Sequence, residues 1–305
     1  MRPFADRLAA LVEERRSQIC LGLDPDPGKL SPSGEPNGSS GSHSTSRIGV
    51  SDDPEELAGR AVIDHCSGLI DEAGPACVAV KFQLACFERL GAVGWVVLNH
   101  VCKLAREAGL LTIADGKRGD VPGSSAAYAQ ALVGETPTPW GSIAGLGVDA
   151  FTVNPLLGRD ALEPFVEAAV AAGAGIFALV RTSNPGAADL EDLPTPEGPL
   201  HERIAVLVDG LAERLMGGGE LSGMGAVVGA TEPSHIARLR ELMPRSIFLM
   251  PGVGAQGGQP ELLGAAFAPG PASGIVTVSR GIAEDPDPAA AAERLRETIW
   301  RISTA

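Results

Sequence analysis

The residues that could carry chemistry cluster in one short stretch, where Asp115, Lys117 and Asp120 follow an apolar run. In an extended strand end, positions 115 and 117 share a face, so an acid and an ammonium group point the same way. Lys81, in the preceding apolar run, adds a second cation. Buried charges must be paired. A cluster of paired charges sets up an electric field that can stabilise the charge that develops during a reaction. The alternative interpretation is an ordinary salt-bridged strand end.

Eight short runs rich in Val, Ile and Leu alternate along the chain with longer stretches of helical periodicity. The runs cover 19–23, 76–82, 110–114, 148–153, 175–180, 224–228, 246–250 and 275–279. Continuous apolar runs are typical of strands buried on both faces of a parallel sheet. The pattern predicts an α/β fold, a single (β/α)8 barrel domain over 1–305. A doubly wound sheet remains the alternative, because periodicity alone does not show that the sheet closes.

Helices are predicted between these runs. Apolar residues at i, i+4, i+7 and i+8 from Phe4 indicate an N-terminal amphipathic helix. Asp53 followed by Pro54 indicates the capped start of another. Further helical stretches cover 93–108, 159–172, 200–215, 233–242 and 287–302. Residues 31–46 hold twelve Ser, Gly or Pro among sixteen, which predicts a flexible surface insertion after the first strand.

Polar residues follow the apolar runs at the ends where barrels carry their functional groups. They include Asp24, Lys81, Gln83, the stretch Asp115–Asp120, Asn154, Arg181–Asn184, Thr231, Ser279 and Arg280. After the seventh run comes the glycine-rich stretch Pro251–Gly258. Barrels often bind phosphate with the loops after strands seven and eight, so this stretch is a candidate phosphate loop. A tight turn is the alternative.

Charge and composition exclude several classes of function. Lys plus Arg number 24 and Asp plus Glu 38, for a net charge of −14, which argues against nucleic acid as a partner. No stretch approaches the ~20 apolar residues of a membrane span, and the N-terminus lacks the apolar core of a signal peptide. Five cysteines without a C-x-x-C pair indicate reduced thiols in the cytoplasm. Five dispersed histidines give no reason to expect a metal site.

Several of these segments, in one order and with matching spacings, resemble orotidine 5′-phosphate decarboxylase. Asp115-Gly116-Lys117-Arg118-Gly119-Asp120 is similar to the D-x-K-x-x-D signature of that family. Further segments similar to its longer bacterial subgroup are Leu21–Pro25, Val80–Gln83, Thr182–Pro185, Val227–Thr231 and Pro251–Gly258. The resemblance covers essentially the whole chain. It implies a homodimeric barrel that converts orotidine 5′-monophosphate to uridine 5′-monophosphate in pyrimidine biosynthesis, without metal or cofactor.

The resemblance also implies roles for individual residues. Its charged tetrad is matched by Lys81, Asp115, Lys117 and Asp120. Lys117 matches the lysine that protonates C6 of the pyrimidine after carbon dioxide leaves, and Asp115 matches the acid beside the substrate carboxylate. Asp120, with Ser124, matches a contribution to the partner subunit's site. Substrate contacts are implied for Asp24, Gln83, Ser124, Thr182, Pro251, Gln256, Ser279 and Arg280.

The resemblance further implies which part of the substrate each of these residues contacts. Asp24 and Lys81 match contacts to the ribose hydroxyls, and Thr182 matches a contact to the edge of the pyrimidine. Gln256 and Arg280 match the residues that hold the phosphate.

The chain departs from the family pattern at two places. Val121-Pro122-Gly123-Ser124 stands where the family usually has Ile-Gly-x-Thr, and Pro122 fixes φ and removes a donor in the intersubunit loop. Gly116 stands where many members have Ala, which adds chain freedom.

Two other functions are compatible with parts of the pattern. A metal-dependent sugar-phosphate decarboxylase or aldolase of the same barrel superfamily shares D-x-K-x-x-D, but the Ala-Thr, Asn-Pro and Pro-Gly-x-Gly-Ala-Gln segments favour the nucleotide enzyme. A non-enzymatic nucleotide-binding barrel is expected to have lost Asp115 or Lys117, and both are present.

Overall fold

The computed structural model describes residues 2–30, 53–254 and 257–305. The predicted insertion 31–46 and Gln256 lie outside the described residues. Within them, eight parallel strands form a closed barrel with helices between successive strands. The prediction of a (β/α)8 barrel is confirmed, and the doubly wound alternative is wrong because the first and last barrel strands pair directly.

Twelve strands occur in the described part of the chain. They are β1 (Ile19–Leu23), β2 (Ala79–Gln83), β3 (Leu111–Arg118), β4 (Glu135–Thr138), β5 (Gly141–Ala144), β6 (Ala150–Val153), β7 (Gly175–Arg181), β8 (Pro194–Thr195), β9 (Gly198–Pro199), β10 (Ser222–Val228), β11 (Ser246–Pro251) and β12 (Gly274–Val278). The order around the barrel is β1, β2, β3, β6, β7, β10, β11 and β12. Each predicted run overlaps one barrel strand. The antiparallel pairs β4–β5 and β8–β9 lie outside the barrel and were not predicted.

The same ranges contain ten α-helices. They are α1 (Phe4–Arg15), α2 (Pro54–Ala73), α3 (Leu84–Glu88), α4 (Gly91–Glu107), α5 (Pro122–Leu132), α6 (Arg159–Ala172), α7 (Leu200–Ala212), α8 (Pro233–Leu242), α9 (Arg280–Ala283) and α10 (Pro288–Ser303). The predicted helices are confirmed. Sequence reasoning missed α5, because its small and polar residues form no apolar stripe. None of these helices combines the length and apolar character needed to cross a bilayer.

Helix α1 covers the N-terminal end of the barrel. Its residues Phe4, Leu8 and Val12 are buried, as the spacing predicts. The ring of Phe4 meets Phe177 of β7 edge to face, with ring centroids 5.9 Å apart. A Cβ at Gly175, the first residue of β7, would lie 2.4 Å from the Phe4 ring. The N-terminal end of the barrel is therefore closed by packing, which leaves the C-terminal ends of the strands as its open mouth.

Arg240 on α8 is a buried cation that joins several loops below the barrel. Its guanidinium donates at 2.7–3.0 Å to the main-chain oxygens of Met243, Ser246, Ala266 and Ser273. It also lies over the ring of Phe248, 3.8 Å from the centroid. Burial lowers the pKa of Arg240 to about 9. One buried side chain thus donates to four buried carbonyl groups, of which that of Met243 also accepts from the main-chain N–H of Ser246 at 3.3 Å.

We expect Arg240→Met to lower the free energy of unfolding by about 3 kcal/mol or more, because each buried carbonyl left without a donor costs about 1–3 kcal/mol. Urea unfolding followed by circular dichroism measures this. Arg238→Met, on the exposed face of the same helix, is the matched control and should change stability far less, since exposed ion pairs contribute little. Equal effects of the two substitutions would contradict the structural role of Arg240.

Candidate active site at the mouth of the barrel

A cavity of about 440 Å³ opens at the C-terminal ends of the barrel strands, a size typical of small-molecule sites. Nine of the twelve predicted site residues line it: Asp24, Lys81, Gln83, Asp115, Lys117, Thr182, Pro251, Ser279 and Arg280. Asp120 and Ser124 lie outside the lining, and Gln256 is outside the described residues. The structure thus brings together residues that are up to 256 positions apart in the chain.

Asp115 stands between two lysines at the centre of the lining. Lys81 Nζ lies 2.6 Å from Asp115 Oδ2, and Lys117 Nζ lies 2.7 Å from Asp115 Oδ1. The side chains of Lys81 and Asp115 are 8% and 9% exposed, whereas that of Lys117 is 42% exposed. The Gln83 amide lies beside Asp115, and with its nitrogen turned to that side it donates to the main-chain oxygen of Asp115 at 2.9 Å. One buried carboxylate therefore holds a buried and an accessible ammonium group.

The charges in this cluster reinforce one another. Burial by itself would raise the pKa of Asp115, but the ammonium groups of Lys81 and Lys117 outweigh burial and lower that pKa to about 2. Burial would lower the pKa of Lys81, but the carboxylates of Asp115 and Asp24 outweigh it and raise that pKa. At neutral pH, Asp115 is thus ionised and Lys81 is protonated.

The backbone of β3 is irregular where it carries these residues. The four residue steps of β3 from Ala114 to Arg118 cover the same ladder distance as the two steps of β6 from Phe151 to Val153. Lys117 has φ 46°, in the left-handed region that non-glycine residues rarely adopt. Such strain is typical of functional sites, and here it accompanies the side chain predicted to donate the proton.

Asp24 and Ser279 meet across the neighbouring strands β1 and β12. The hydroxyl of Ser279 donates to Asp24 Oδ2 at 2.7 Å. Gly22 makes this approach possible, since a Cβ there would lie 2.0 Å from Ser279 Oγ. The second carboxylate oxygen of Asp24 is left facing the cavity mouth, where a ligand hydroxyl could donate to it.

Thr182, directly after β7, is held by the loop that follows it. Its main-chain N–H donates to Glu191 Oε2 at 2.7 Å, and its hydroxyl lies 3.0 Å from Glu191 Oε1. Asn184 Oδ1 is a further acceptor, 2.7 Å from the same hydroxyl. Because acceptors surround it, the hydroxyl gives its proton to the protein and offers its oxygen lone pairs to a ligand. Sequence reasoning missed Glu191, which no motif distinguishes.

The opposite side of the mouth is suited to an anion. Arg280 is exposed at the start of α9, directly after Ser279, and has no ion-pair partner in the described part of the chain. Gly252 and Gly254 in the neighbouring loop have φ 105° and 76°, a conformation that side chains disfavour. Gly252, Val253 and Gly281 line the cavity beside Arg280, so main chain and guanidinium can approach one ligand group.

Asp120 and Ser124 lie at the outer side of the β3–α5 connection. Asp120 Oδ1 accepts from the main-chain N–H of Val121 at 2.7 Å, and the hydroxyl of Ser125 donates to the main-chain oxygen of Asp120 at 2.8 Å. Ser124 is exposed on α5. Within this chain, then, neither side chain reaches the cavity that the other predicted residues line.

The floor of the cavity is apolar, which sequence reasoning did not single out. Leu179, Val227 and Leu249 line it from β7, β10 and β11. These residues belong to ordinary apolar runs, and no sequence signal distinguishes interior floor residues from core residues. A floor of low polarity strengthens the electrostatic interactions above it.

A larger cavity, of about 750 Å³, lies on the other side of the loop after β7. Two charged residues of its lining pair with each other, since Arg181 Nε lies 2.9 Å from Asp192 Oδ1. The smaller cavity contains nine of the twelve predicted site residues, among them the buried pair Lys81–Asp115. The smaller cavity is therefore the candidate active site.

The chemistry available at this site follows from its charges. The lining carries three cations, Lys81, Lys117 and Arg280, and three carboxylates, Asp24, Asp115 and Glu191. Among the cations, Lys117 and Arg280 are accessible and can contact an anionic group of a ligand. The accessible ammonium group of Lys117 can stabilise a developing anion and then give it a proton. In the part of the chain that the structure describes, no three His, Cys, Asp or Glu side chains are grouped so that they could hold a metal ion.

Comparison with known proteins places these observations in a family. The model of the "Orotidine 5′-phosphate decarboxylase / HUMPS family" matches residues 17–295. An orotidine 5′-phosphate decarboxylase of Rhodopirellula baltica is 40% identical over 285 residues, covering 92% of this chain and 88% of the relative. One of Thermomicrobium roseum is 38% identical over 98% of this chain and 95% of the relative.

A solved structure is also similar. The OMP decarboxylase of Leishmania donovani superposes with a TM-score of 0.74 at 30% sequence identity, covering 99% of this chain and 100% of that one. The similarity thus extends over the whole fold as well as over the sequence.

The depressed pKa of Asp115 predicts a pH-dependent contribution to stability. A carboxyl whose folded-state pKa lies below its unfolded value stabilises the fold above the unfolded pKa, and this contribution is lost as the pH falls towards the folded pKa. With the pKa lowered from 3.8 to about 2, a drop from pH 5 to pH 3 should cost about 1 kcal/mol more in wild type than in Asp115→Asn. Urea unfolding at both pH values measures the difference, and parallel losses in the two proteins would contradict the assignment.

Proposed function

The chain belongs to the orotidine 5′-phosphate decarboxylase / HUMPS family, and we propose that the charges at the mouth of its barrel carry out the reaction. The reaction is the decarboxylation of orotidine 5′-monophosphate to uridine 5′-monophosphate. The observation that carries the proposal is the buried carboxylate of Asp115 between the ammonium groups of Lys81 and Lys117. Such a cluster suits a reaction in which a negative charge moves from a carboxylate to a carbon atom.

The bond between C6 of the pyrimidine and its carboxyl carbon breaks, and its electron pair stays on C6. That carbanion lies in the plane of the ring and is not delocalised into the ring carbonyls, so it needs a neighbouring cation. Lys117 stabilises the charge and then gives C6 a proton, while carbon dioxide leaves. Solvent reprotonates Lys117, whose side chain is 42% exposed. The step consumes one proton and needs no oxidant or reductant.

Asp115 serves this step in two ways. Its Oδ1 holds Lys117 Nζ at 2.7 Å, which keeps the proton donor beside the reacting carbon. Its negative charge lies against the substrate carboxylate before reaction, and this repulsion disappears as carbon dioxide departs. Because its pKa is about 2, Asp115 keeps its charge across the physiological range.

The rest of the lining binds the remainder of the nucleotide. Asp24 and Lys81 bind the ribose hydroxyls, with Ser279 orienting Asp24. The Thr182 hydroxyl, held as an acceptor, contacts the N3–H of the pyrimidine. The phosphate lies against Arg280 and the loop at Gly252, with Gln256 as a further contact. Gln83 and Pro251 line the same cavity and contact the substrate.

We infer that the protein acts as a homodimer, in which Asp120 and Ser124 complete the site of the partner subunit. Neither reaches the cavity of its own chain. Exposed apolar side chains occur at the start of α5 and on it, on the β4–β5 hairpin that contacts α5, and in the loop after β6: Val121, Tyr128, Trp140, Ile143, Leu156 and Leu157. Trp140 is 92% exposed. An apolar patch of this kind is typical of a surface covered by another protein chain.

The expected compartment is the cytoplasm. All five cysteines are free thiols and four of them are buried, which fits a reducing environment.

The direct test is the change in ultraviolet absorbance when purified protein is added to orotidine 5′-monophosphate, with and without a chelator. We expect turnover in both. An unchanged substrate would overturn the proposed activity, and turnover abolished by the chelator would indicate the metal-dependent chemistry of related barrels.

Mixing two inactive variants should restore activity if Asp120 acts in the partner's site. Lys117→Ala and Asp120→Ala homodimers should each lose at least about a hundredfold in kcat. In a hybrid dimer, one site combines native Lys117 with native Asp120 from the other chain. Refolding an equal mixture should therefore recover about a quarter of wild-type activity. A mixture no more active than its parents would show that Asp120 acts within its own chain.

Arg280→Ala should weaken catalysis through the phosphate. Loss of a charged hydrogen-bond partner should lower kcat/KM for orotidine 5′-monophosphate about ten- to hundredfold. The control is the nucleoside orotidine, which lacks the phosphate. On it, wild type and Arg280→Ala should be almost equally slow, because the contact is already missing. A variant equally impaired on both substrates would show that Arg280 acts in another way.

A further inference from the structure

We propose that Thr152 of β6 is a positioning residue for the reaction, because its single hydroxyl fixes the relative positions of Asp115 and Lys117. The proposal rests on the proposed decarboxylation and assigns a role to a residue that none of the sequence motifs includes. It depends on two hydrogen bonds that meet at one oxygen atom.

The hydroxyl of Thr152 donates one hydrogen bond and accepts one, and its two partners allow only one orientation. Its proton goes to Asp115 Oδ1 at 2.9 Å, and its oxygen accepts the main-chain N–H of Lys117 at 2.9 Å. A carboxylate cannot donate and a main-chain N–H cannot accept. The orientation of the hydroxyl is therefore determined by its partners. Thr152 is 1% exposed, so water does not replace either bond.

The irregular stretch of β3 explains why a side chain is needed at this place. Regular pairing of β3 with β6 stops at Ala114 and resumes at Arg118. The main-chain N–H of Lys117 thus has no ladder partner on β6, and a buried N–H without a partner is costly. The Thr152 hydroxyl supplies the acceptor that the ladder lacks, which stabilises Lys117 at φ 46°.

The Thr152 hydroxyl therefore contacts both the carboxylate of Asp115 and the main chain of Lys117. Asp115 Oδ1 receives both the Thr152 hydroxyl and Lys117 Nζ, at 2.9 Å and 2.7 Å. The Thr152 oxygen holds the main chain of the same lysine. The proton donor is thus fixed at its backbone and at its ammonium group by one carboxylate–hydroxyl pair. Proton transfer depends steeply on such placement, so loss of the hydroxyl should affect the chemical step more than binding.

Three variants separate positioning from packing. Thr152→Val keeps the shape and removes the hydroxyl, whereas Thr152→Ser keeps the hydroxyl and removes a methyl group. Thr112→Val is the matched control. Thr112 is also a buried threonine, bonded by its hydroxyl to Asp149 Oδ2 at 2.8 Å, but it lies three residues earlier on β3, about 10 Å from Asp115.

We expect Thr152→Val to lower kcat about ten- to hundredfold, with KM within about threefold of wild type, because a hydrogen bond to a charged group is lost. Thr152→Ser should keep kcat within about threefold, and Thr112→Val should lower the melting temperature without changing kcat per folded molecule. An unchanged kcat in Thr152→Val would overturn the proposal. So would a Ser variant as impaired as the Val variant, since the methyl group would then be the important part.

Crystal structures of wild type and Thr152→Val give a readout that does not depend on activity. We expect the Asp115 carboxylate to rotate and the main chain at Lys117 to leave its positive φ in the variant. If both residues superpose on wild type, Thr152 does not position them. If wild type leaves orotidine 5′-monophosphate intact, the proposed function fails, while the two crystal structures still decide the positioning role.

Discussion

The structure of the site depends on the burial of one carboxylate between two ammonium groups. A lone buried charge is strongly unfavourable and would neutralise, so Asp115 and Lys81, each under a tenth exposed, require opposite charges beside them. They pair with each other, and Lys117 and Asp24 add to this stabilisation. The barrel makes the pairing possible because the adjacent parallel strands β2 and β3 end at the same edge. Lys81 lies two residues before Gln83, the register partner of Asp115, and its long side chain reaches up to the carboxylate. The third charge, Lys117, is then held at the accessible side of a pair that is already fixed.

This arrangement requires a local irregularity in β3. Among the described barrel strands, Lys117 is the non-glycine residue in the left-handed region. Four residue steps of β3 cover the same ladder distance as two steps of β6, which places Asp115 and Lys117 around the same point. The packing of α1 and the network of Arg240 stabilise the barrel far from this point. The strained backbone at Lys117 is tolerated because the hydrogen bonds of the surrounding strands hold the residues next to it in place.

How much of this could be predicted from sequence differs between elements. The eight strands were predictable, since buried parallel strands are continuous apolar runs. The charged cluster was predictable because charged residues at strand ends contrast with those runs. Helix α5 was not, because its small residues carry no periodic signal. Thr152 and Glu191 were not predictable either, because each acts on a residue distant in the chain. Thr152 binds Lys117, 35 residues away, and Glu191 binds Thr182, 9 residues away. Leu249, on the floor of the cavity, cannot be distinguished by sequence from an ordinary core residue, because its place in the lining depends on the closure of the barrel.

The order of strands around the mouth matches the order of groups along a nucleotide, on the proposed roles. Passing from β11 and β12 through β1 and β2 to β3, the lining offers a glycine-rich loop and Arg280, then Asp24, then Lys81, and finally Asp115 with Lys117. Phosphate, ribose and base would meet these groups in turn. On these roles, two strands separate the proposed phosphate site from the β3 cluster, so the energy of phosphate binding does not act on C6 directly. It would act by fixing the far end of the ligand, so that the near end meets the charged cluster in one orientation.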